Sequence, residues 1–470
     1  MMCQLWQCDQ ANLITVYLDR LQSELSISEI ISTVLTTLPG MKTALLLLHF
    51  MVASPLLAWP GVSQILSARQ DGIFGDDSLE LLGDLRPERG GPKSPVGWVI
   101  WGILTGSTEP QGFTEWQGGL SSPSSQKCIT DTCCIWRHIA LDMEKLFRGQ
   151  SGRCTKYARA AIRLGFHDAG TWSKFDEDYG GADGSIILAN ELGRPENNGL
   201  QEIGAVTLSW YRQYRSFGIG MADLIQMGAN VATVVCPLGP RVRTFVGRQD
   251  SLRPAPDNLL RSVFADADSL IQLFENKTIR AHGLTALVGA HTTSQQHFVD
   301  PSRAGDPQDM TPGIWDVGFY SQTTGSAPPR VFRFPSDVKL SLHPRIASEW
   351  SQFAAGQKHW NEDYAREYVR LSLLGVSNIN GLVECTHVLP AQTLKTIISD
   401  DRVVLNKWLN GSGRMKKPEK AELQVRSPAA SLQTGPGLQT DQGHETPRER
   451  PDRGCPRPKP LYHGDNPSPE

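Results

Sequence analysis

The sequence has 470 residues, of which 39% are hydrophobic and 20% are charged. This composition is typical of globular proteins, and the length suits one large domain or two to three ordinary ones. The formal net charge of −3 provides no basic field, so we expect no nucleic-acid partner. The nine cysteines include no CxxC pair and no zinc-finger spacing. In a reducing compartment they would be scattered thiols, whereas in an oxidising one the six from Cys128 to Cys385 could form three disulfides.

The first informative segment begins at Met41. A short basic start is followed by an apolar run from Ala44 to Ala53 and by small residues up to Ala58. This order is typical of a secretory signal peptide, although a buried helix is the alternative. We interpret residues 41–58 as the signal peptide of a secreted, extracellular protein and residues 1–40 as an over-extended N-terminus, with Met41 as the true start. The apolar run is too short to span a membrane, so we expect no stable membrane association.

The rest of the chain divides by composition into three parts. Residues 59–127 mix turn formers with short apolar pieces, which indicates a loosely packed N-terminal extension or pro-region. Residues 128–406 have the composition of one continuous globular domain. Residues 407–470 are predicted to be a disordered tail, because they contain too few large apolar side chains to offset the entropy of ordering. Two sequons, at Asn276 and Asn410, would be glycosylation acceptors in a secreted chain.

Helical periodicity dominates the predicted domain. Residues 155–168 and 278–291 carry apolar side chains at i, i+3 and i+4 spacing, which predicts two amphipathic helices. Further helices are predicted over residues 200–216, 222–234 and 361–374. Alternating strand patterns are scarce, so the predicted fold class is mostly α. The Gly- and Pro-rich stretch 301–337 does not fit a simple helix and needs another element to organise it.

Two histidine-containing segments carry candidate chemistry. Arg163 and His167 are four residues apart and so project from the same face of a predicted helix. A fixed cation beside a neutral imidazole suits acid–base work on a small polar ligand, but a surface pair is also possible. Phe166 could lie flat against a planar cofactor. His291, at the end of an apolar helix, is either a buried core histidine or an axial ligand of a haem iron.

Two loops offer hard oxygen donors. The segment Gly-Gly-Ala-Asp-Gly-Ser at 180–185 contains Asp183 and Ser185, with Asp168 upstream. Such donors on a Gly-rich loop suit calcium, and a plain turn is the alternative. The segment Asp-Met-Thr-Pro-Gly-Ile-Trp-Asp at 309–316 offers a second set of oxygens and could organise the irregular stretch around it.

The order and spacing of these four segments resemble the secreted fungal haem peroxidases, the group of lignin, manganese and versatile peroxidases. The resemblance covers roughly residues 126–390. It implies a mostly α, two-part fold in which haem b lies between a distal and a proximal helix, with two calcium ions. It also implies a secreted, monomeric enzyme whose partners are hydrogen peroxide and small aromatic electron donors. The donors would be oxidised in one-electron steps, in lignin or aromatic degradation or in removal of hydrogen peroxide.

The resemblance implies a role for individual residues. His167 would be the distal acid–base and Arg163 its partner, with Phe166 beside them. Asn197 and Glu191 would orient His167, and Asp337 would bond the proximal ligand His291. The implied calcium ligands are Asp168, Gly181, Asp183 and Ser185 at one site, and Thr292, Asp309, Thr311, Ile314 and Asp316 at the other. The implied disulfides are Cys128–Cys134, Cys133–Cys385 and Cys154–Cys236.

Four positions bear on the electron donor. Lys156, Ala160 and His297 stand where the manganese-oxidising members of the family carry carboxylates, and hard divalent cations prefer oxygen ligands. Ala286 stands where the lignin-oxidising members carry an exposed tryptophan. The sequence therefore indicates a generic peroxidase for small phenols or similar donors. The two rival hypotheses are a catalytically inactive secreted calcium-binding structural module and an intracellular peroxidase of the cytochrome c or ascorbate type.

Overall fold

The computed structural model describes residues 77–149, 151–175, 179–395 and 402–411. The described chain is built almost entirely from helices. The fourteen α-helices are α1 Pro95–Leu104, α2 Gln126–Thr130, α3 Thr132–Phe147, α4 Lys156–Ala169, α5 Ser185–Leu188, α6 Gln201–Tyr214, α7 Met221–Val235, α8 Ala267–Glu275, α9 Ala281–Val288, α10 Gly318–Thr324, α11 Pro335–Leu342, α12 Ala347–Ala355, α13 Gln357–Leu371 and α14 Arg402–Leu409. Two short strands, β1 Phe245–Val246 and β2 Val383–Glu384, pair antiparallel. The prediction of a mostly α fold is therefore confirmed.

The five predicted helices correspond to α4, α9, α6, α7 and α13. The main difference concerns the predicted helix 278–291, which ends as an α-helix at Val288 and continues as a 3₁₀ turn over Gly289–Thr293. His291 lies on this turn. The tighter winding of a 3₁₀ turn changes the direction of the side chains that follow an α-helix, so the helical stripe of α9 does not itself place His291.

Helix α7 forms the centre of the first half of the fold. All of its residues are buried, and it packs against α3 and α4. Its N-terminus is capped by Asp250, whose carboxylate accepts hydrogen bonds from the backbone N–H groups of Met221 (2.8 Å) and Ala222 (2.9 Å). Helix α4 is capped separately, since the Thr155 side chain accepts a hydrogen bond from the N–H of Ala158 (3.3 Å). A capped, fully buried partner helix fixes the position of α4, which carries Arg163 and His167.

In the second half of the fold, aromatic side chains pack around α9. The Trp360 indole donates a hydrogen bond to the carbonyl of Ala286 (2.9 Å), and the Tyr320 hydroxyl donates one to the carbonyl of Thr285 (2.8 Å). Trp360 also stacks on Trp315 with ring centroids 5.0 Å apart. Both hydrogen bonds are made to carbonyls in the last turn of α9, where the α-helical hydrogen-bond pattern ends. They therefore hold the end of α9 just before His291.

The N-terminal part of the described chain differs from its expected loose packing. Leu85 and Ile103 are buried and belong to the main hydrophobic core. The buried guanidinium of Arg370, on α13, donates hydrogen bonds to the carbonyls of Ser78 (2.7 Å) and Leu104 (3.0 Å). Residues 77–104 are thus an integral layer of the fold, and no structural boundary falls at residue 128. Residues 1–76, with the predicted signal peptide, lie outside the described residues.

The C-terminal end of the described chain also extends further than predicted. Helix α14 runs through residue 409, beyond the expected start of the tail at 407, and buries Leu405 and Leu409. Arg330 lies over the ring of Trp408, 5.3 Å from its centroid. Residues 412–470 lie outside the described residues. Within the described part of the chain, no helix combines the length and apolar character needed to cross a membrane.

Three disulfides covalently join the fold. They are Cys128–Cys134, Cys133–Cys385 and Cys154–Cys236, the same three pairs that the family resemblance implies. The Cys133–Cys385 bond spans 252 residues and ties α3 to the segment after β2. The Cys154–Cys236 bond joins the residue before the N-cap of α4 to the C-cap of α7.

Candidate active site

His167 has a defined hydrogen-bonding orientation. Its Nδ1 lies 2.8 Å from Oδ1 of the buried Asn197. The Asn197 amide nitrogen donates to the backbone carbonyl of Glu191 (2.9 Å), so Oδ1 is the atom that faces the imidazole. An amide oxygen can only accept, and His167 Nδ1 must therefore carry the proton. This tautomer leaves Nε2 of His167 with a lone pair.

Arg163 lies beside that nitrogen, one turn earlier on α4. Its Nε donates a hydrogen bond to His167 Nε2 (3.1 Å). Its two terminal nitrogens donate to backbone carbonyls, Nη1 to Asn198 (2.7 Å) and Nη2 to Glu196 (2.8 Å). The guanidinium is held on three sides, which places a fixed positive charge next to a neutral base.

The protonation state of His167 follows from its surroundings. Burial, with a smaller contribution from the Arg163 charge, lowers the pKa of His167 to about 3, although the Asn197 hydrogen bond acts in the opposite direction. Burial also lowers the pKa of Arg163 to about 10, so Arg163 remains charged at neutral pH. At neutral pH, His167 is thus an unprotonated base beside a cation. This pair can accept a proton from a small ligand and stabilise the negative charge that develops.

Glu191 contacts Asn197 through its backbone. Its backbone carbonyl, not its carboxylate, receives the Asn197 amide. The carboxylate accepts hydrogen bonds from the backbone N–H of Ala255 (2.9 Å) and from Arg194 (2.9 Å). Glu191 therefore holds the loop that positions Asn197, a contribution that residue spacing alone could not reveal.

His291 has a partner that suits a metal-ligating imidazole. Its Nδ1 lies 2.9 Å from Oδ2 of the buried Asp337. Phe319 and Phe334 meet the imidazole edge-on, with centroids 5.7 and 5.3 Å away. A carboxylate that accepts the Nδ1 proton fixes the ring and makes Nε2 a stronger donor, the usual support of a histidine that binds iron. The residues present therefore fit an axial haem ligand at His291.

Phe166 lies between the distal residues and the second half of the fold. Its ring is stacked on Phe274 with centroids 6.0 Å apart and an interplanar angle of 12°, and it meets His167 edge-on at 5.6 Å. It thus presents an apolar surface next to the imidazole. Such a surface favours a flat apolar cofactor over bulk water at this position.

The first loop brings its predicted calcium ligands together. Both oxygens of the buried Asp168 accept backbone hydrogen bonds from the 184–186 segment, one of them from Gly184 (3.1 Å). The Ser185 hydroxyl is buried and has no hydrogen-bond partner among the described residues. Burial and the nearby Asp183 carboxylate raise the pKa of Asp168 well above its usual value. The buried Asp168 carboxylate, the half-buried Asp183 carboxylate and an unpaired hydroxyl are a donor set that fits a hard cation.

Gly181 is required by the backbone of the same loop. Its φ of +101° lies in the region that favours glycine, and an added Cβ would come within 2.2 Å of the carbonyl oxygen of Leu374. A side chain at this position would therefore displace the loop.

The second loop shows the same arrangement. Thr292 Oγ1 donates a hydrogen bond to the buried carboxylate of Asp309, and the other carboxylate oxygen accepts from the N–H of Thr311 (2.8 Å). The Ile314 carbonyl lies 3.4 Å from Thr292 Oγ1. Burial, together with the Asp316 charge, raises the pKa of Asp309 well above its usual value. All five predicted ligands are thus close together, and the two acidic groups fit a divalent cation.

The structure shows the surroundings of Lys156 and Ala286, two of the positions that bear on the electron donor. Lys156 forms an ion pair with Glu202 (2.7 Å), which places a cation where a manganese site would need an anion. Ala286 is buried. The indoles of Trp172 and Trp210 are also buried.

A mostly helical fold with a neutral, arginine-paired imidazole on one helix and a carboxylate-bonded histidine after another is the arrangement of a haem peroxidase. Comparison with known proteins leads to the same class. A peroxidase family model matches residues 141–356. The chain is similar to ligninase LG5 of Phanerodontia chrysosporium, with 31% identity over 55% of this chain and 75% of the relative.

Two further relatives show a comparable similarity. Ligninase C of Trametes versicolor is 32% identical, over 55% of this chain and 75% of the relative. Manganese peroxidase 3 of Phlebia radiata is 30% identical, over 57% of this chain and 80% of the relative. The chain belongs to the fungal class II peroxidases, and the family resemblance of the sequence is confirmed. It is an oxidoreductase that acts on peroxide, and family membership implies haem and calcium.

Proposed function

We propose that this chain reduces hydrogen peroxide to water with His167 as the acid–base group, while oxidising small phenolic or similar donors in one-electron steps. The observation that supports the proposal most strongly is the network of Asn197, His167 and Arg163, which leaves one unprotonated imidazole nitrogen beside a fixed cation. When bound through His291, the haem b iron would supply the redox chemistry. The protein would supply placement, protons and charge stabilisation.

In this mechanism, His167 Nε2 accepts a proton from one oxygen of hydrogen peroxide and delivers it to the other. The bond from Nδ1 to Asn197 keeps the imidazole in the required tautomer throughout. Arg163 stabilises the negative charge that develops as the O–O bond breaks, so water leaves as a neutral product. Groups with these two roles each contribute on the order of 10²–10⁴-fold to the rate.

The proposed electron donors are small aromatic molecules. Lys156, which is paired with Glu202 (2.7 Å), supplies an ammonium group and no oxygen ligand at the position where manganese-oxidising relatives bind a divalent cation. The buried Ala286 provides no exposed indole at the position used by lignin-oxidising relatives. We therefore propose donors that reach the haem directly. The enzyme would act in lignin or aromatic degradation or in removal of hydrogen peroxide.

We further propose the two calcium ions at the sets of residues described above, and a secreted, glycosylated monomer. Three disulfides suit an oxidising compartment. Of the two sequon asparagines, Asn410 is exposed and Asn276 is half-buried. The interpretation of residues 41–58 as a signal peptide belongs to this proposal as well.

The test is a spectrum of the secreted protein made with haem and calcium, recorded before and after one equivalent of hydrogen peroxide. We expect a Soret band that loses intensity and shifts, then recovers when a phenol is added. The variant His167→Gln should keep the resting band and react much more slowly, whereas the control His343→Gln should match the wild type. A Soret band that does not respond to peroxide would contradict the role of His167. Absence of any Soret band in calcium-replete protein would favour the inactive structural module.

A further inference from the structure

A second cluster of ligand-type side chains lies apart from the residues described above. It consists of His282 on α9, Glu349 on α12, and His359 and Asp363 on α13. One donor atom from each of the four residues lies within 4.8 Å of the other three. Helix α9 and the consecutive helices α12 and α13 therefore direct two imidazole nitrogens and two carboxylate oxygens towards one point.

The spacing of these atoms fits a tetrahedral metal site. Nε2 of His282 lies 3.6 Å from Glu349 Oε1 and 3.3 Å from Asp363 Oδ2. Nε2 of His359 lies 3.4 Å and 3.0 Å from the same two oxygens. Four ligands about 2.0–2.1 Å from a tetrahedral zinc ion lie about 3.3–3.4 Å from one another. The four nitrogen–oxygen distances are thus close to the edges of the tetrahedron around such an ion.

The converging atoms lie at ion-pair distance from one another but not in hydrogen-bond geometry. Within the described part of the chain, His282 Nε2, Glu349 Oε1 and Asp363 Oδ2 are buried and have no hydrogen-bond partner. The Asp363 side chain is only 9% exposed. A buried, unpaired polar atom is costly, and three of them facing one another indicate that another group completes the site.

His282 is also oriented as a metal ligand requires. Its other ring nitrogen, Nδ1, is hydrogen-bonded to the Asp77 carboxylate. Arg366 lies 3.7 Å from that carboxylate and 3.9 Å from Asp363, which balances part of the negative charge. A carboxylate that binds the outer nitrogen of a ligating histidine fixes its ring and tautomer. Asp77 belongs to the N-terminal segment, so the segment contributes to this cluster directly.

We propose that His282, Glu349, His359 and Asp363 bind a divalent transition-metal ion of the zinc type, as a site independent of the haem and calcium residues. Two imidazoles and two carboxylates are an N/O donor set that zinc accepts, and calcium, which binds only oxygen, does not suit it. Four protein ligands close the site, which makes its role structural. The ion would join α9, α12 and α13 upstream of His291, and the 42% exposed His359 provides its route of entry.

The metal-free alternative is an ion-pair cluster with protonated histidines. Burial opposes protonation of His282, but the carboxylates of Asp363 and Asp77 outweigh it and raise the pKa of His282 well above its usual value. A metal ion must displace such protons, so zinc binding should release protons and weaken as the pH is lowered.

The test uses the haem-containing full chain in calcium-replete buffer, freed of zinc with dipicolinate. Zinc is the probe, measured by mass spectrometry of bound metal and by titration calorimetry. We expect about one zinc ion per chain and a higher unfolding temperature when zinc is bound. His359→Gln removes a ligand at the edge of the cluster, where folding is least affected, and should weaken zinc binding at least about tenfold. His343→Gln, a histidine paired with Asp268 (3.0 Å) outside the cluster, is the matched control.

The experiment measures bound metal and unfolding temperature, not peroxidase activity. Its result therefore does not depend on whether the proposed function is correct. The proposal is overturned if the zinc-free wild type binds no added zinc, or if His359→Gln and His343→Gln bind zinc equally. Either result would identify the cluster as a metal-free ion-pair network. The variant Asp77→Asn provides a second measurement, with zinc binding weakened although no ligand is lost.

Discussion

Asn197→Leu is the most direct test of whether Asn197 fixes the tautomer of His167. Leucine has the same branched skeleton of four side-chain heavy atoms as asparagine, so the site stays filled while the 2.8 Å contact to His167 Nδ1 is lost. The substitution also removes the bond to the Glu191 carbonyl (2.9 Å). A buried hydrogen bond between neutral groups contributes about 0.5–1.5 kcal/mol, and a group left unpaired costs about 1–3 kcal/mol. If about 1.5–2.5 kcal/mol of this stabilisation acts on the transition state, the reaction with peroxide slows by roughly 10- to 70-fold.

The assay is stopped-flow absorbance at the Soret band, with peroxide in excess. Asn198→Leu is the matched control, because the neighbouring Asn198 is exposed and contributes only its backbone carbonyl to Arg163. The resting spectrum of both variants should equal that of the wild type, which shows that haem is bound normally. A wild-type rate in Asn197→Leu with a normal resting spectrum would refute the argument that Asn197 sets the tautomer of His167.

Three further predictions follow from the same structure. The reaction with peroxide should lose rate only as the pH approaches about 3, because His167 is an active base above its lowered pKa and is protonated below it; an acid limb near neutral pH would be inconsistent with its burial. Chelation of calcium should lower the unfolding temperature seen by calorimetry, since the buried carboxylates of Asp168 and Asp309 then face like charges, and magnesium should restore it poorly. Asp250→Ala should lower the free energy of unfolding, measured by urea denaturation, by about 1 kcal/mol, because it removes the cap of α7. The control is Asp257→Ala, at an exposed position.

Much of the fold and of the candidate site could be predicted from the sequence wherever it depends on residues that are close together in the chain. Apolar residues at helical spacing locate α4 and α7 to within one or two residues. Arg163 and His167 are four residues apart on one helix, so their contact follows from helix geometry. Their chemistry could therefore be predicted before any tertiary contact was known.

The rest depends on contacts between distant segments. Leu85 and Ile103 are separated by turn formers and show no periodic pattern, yet both are buried because α13 supplies Arg370 to satisfy the surrounding carbonyls. The His282 cluster is another example, since His282 and Asp363 meet only after α9 packs against α13. Spacing along the chain cannot predict such a site, because each residue alone has an ordinary environment.

The Cys133–Cys385 bond has a consequence for the resistance of the protein to proteolysis. It joins two cysteines separated by 252 positions in sequence and so closes a covalent ring that contains His167, His291 and all the proposed calcium ligands. A protease that cuts one exposed loop inside the ring leaves both pieces attached, so they remain at high effective concentration and can stay folded together. Loss of the structure then requires a second cut or reduction of the disulfide, and a singly nicked enzyme is expected to retain its haem.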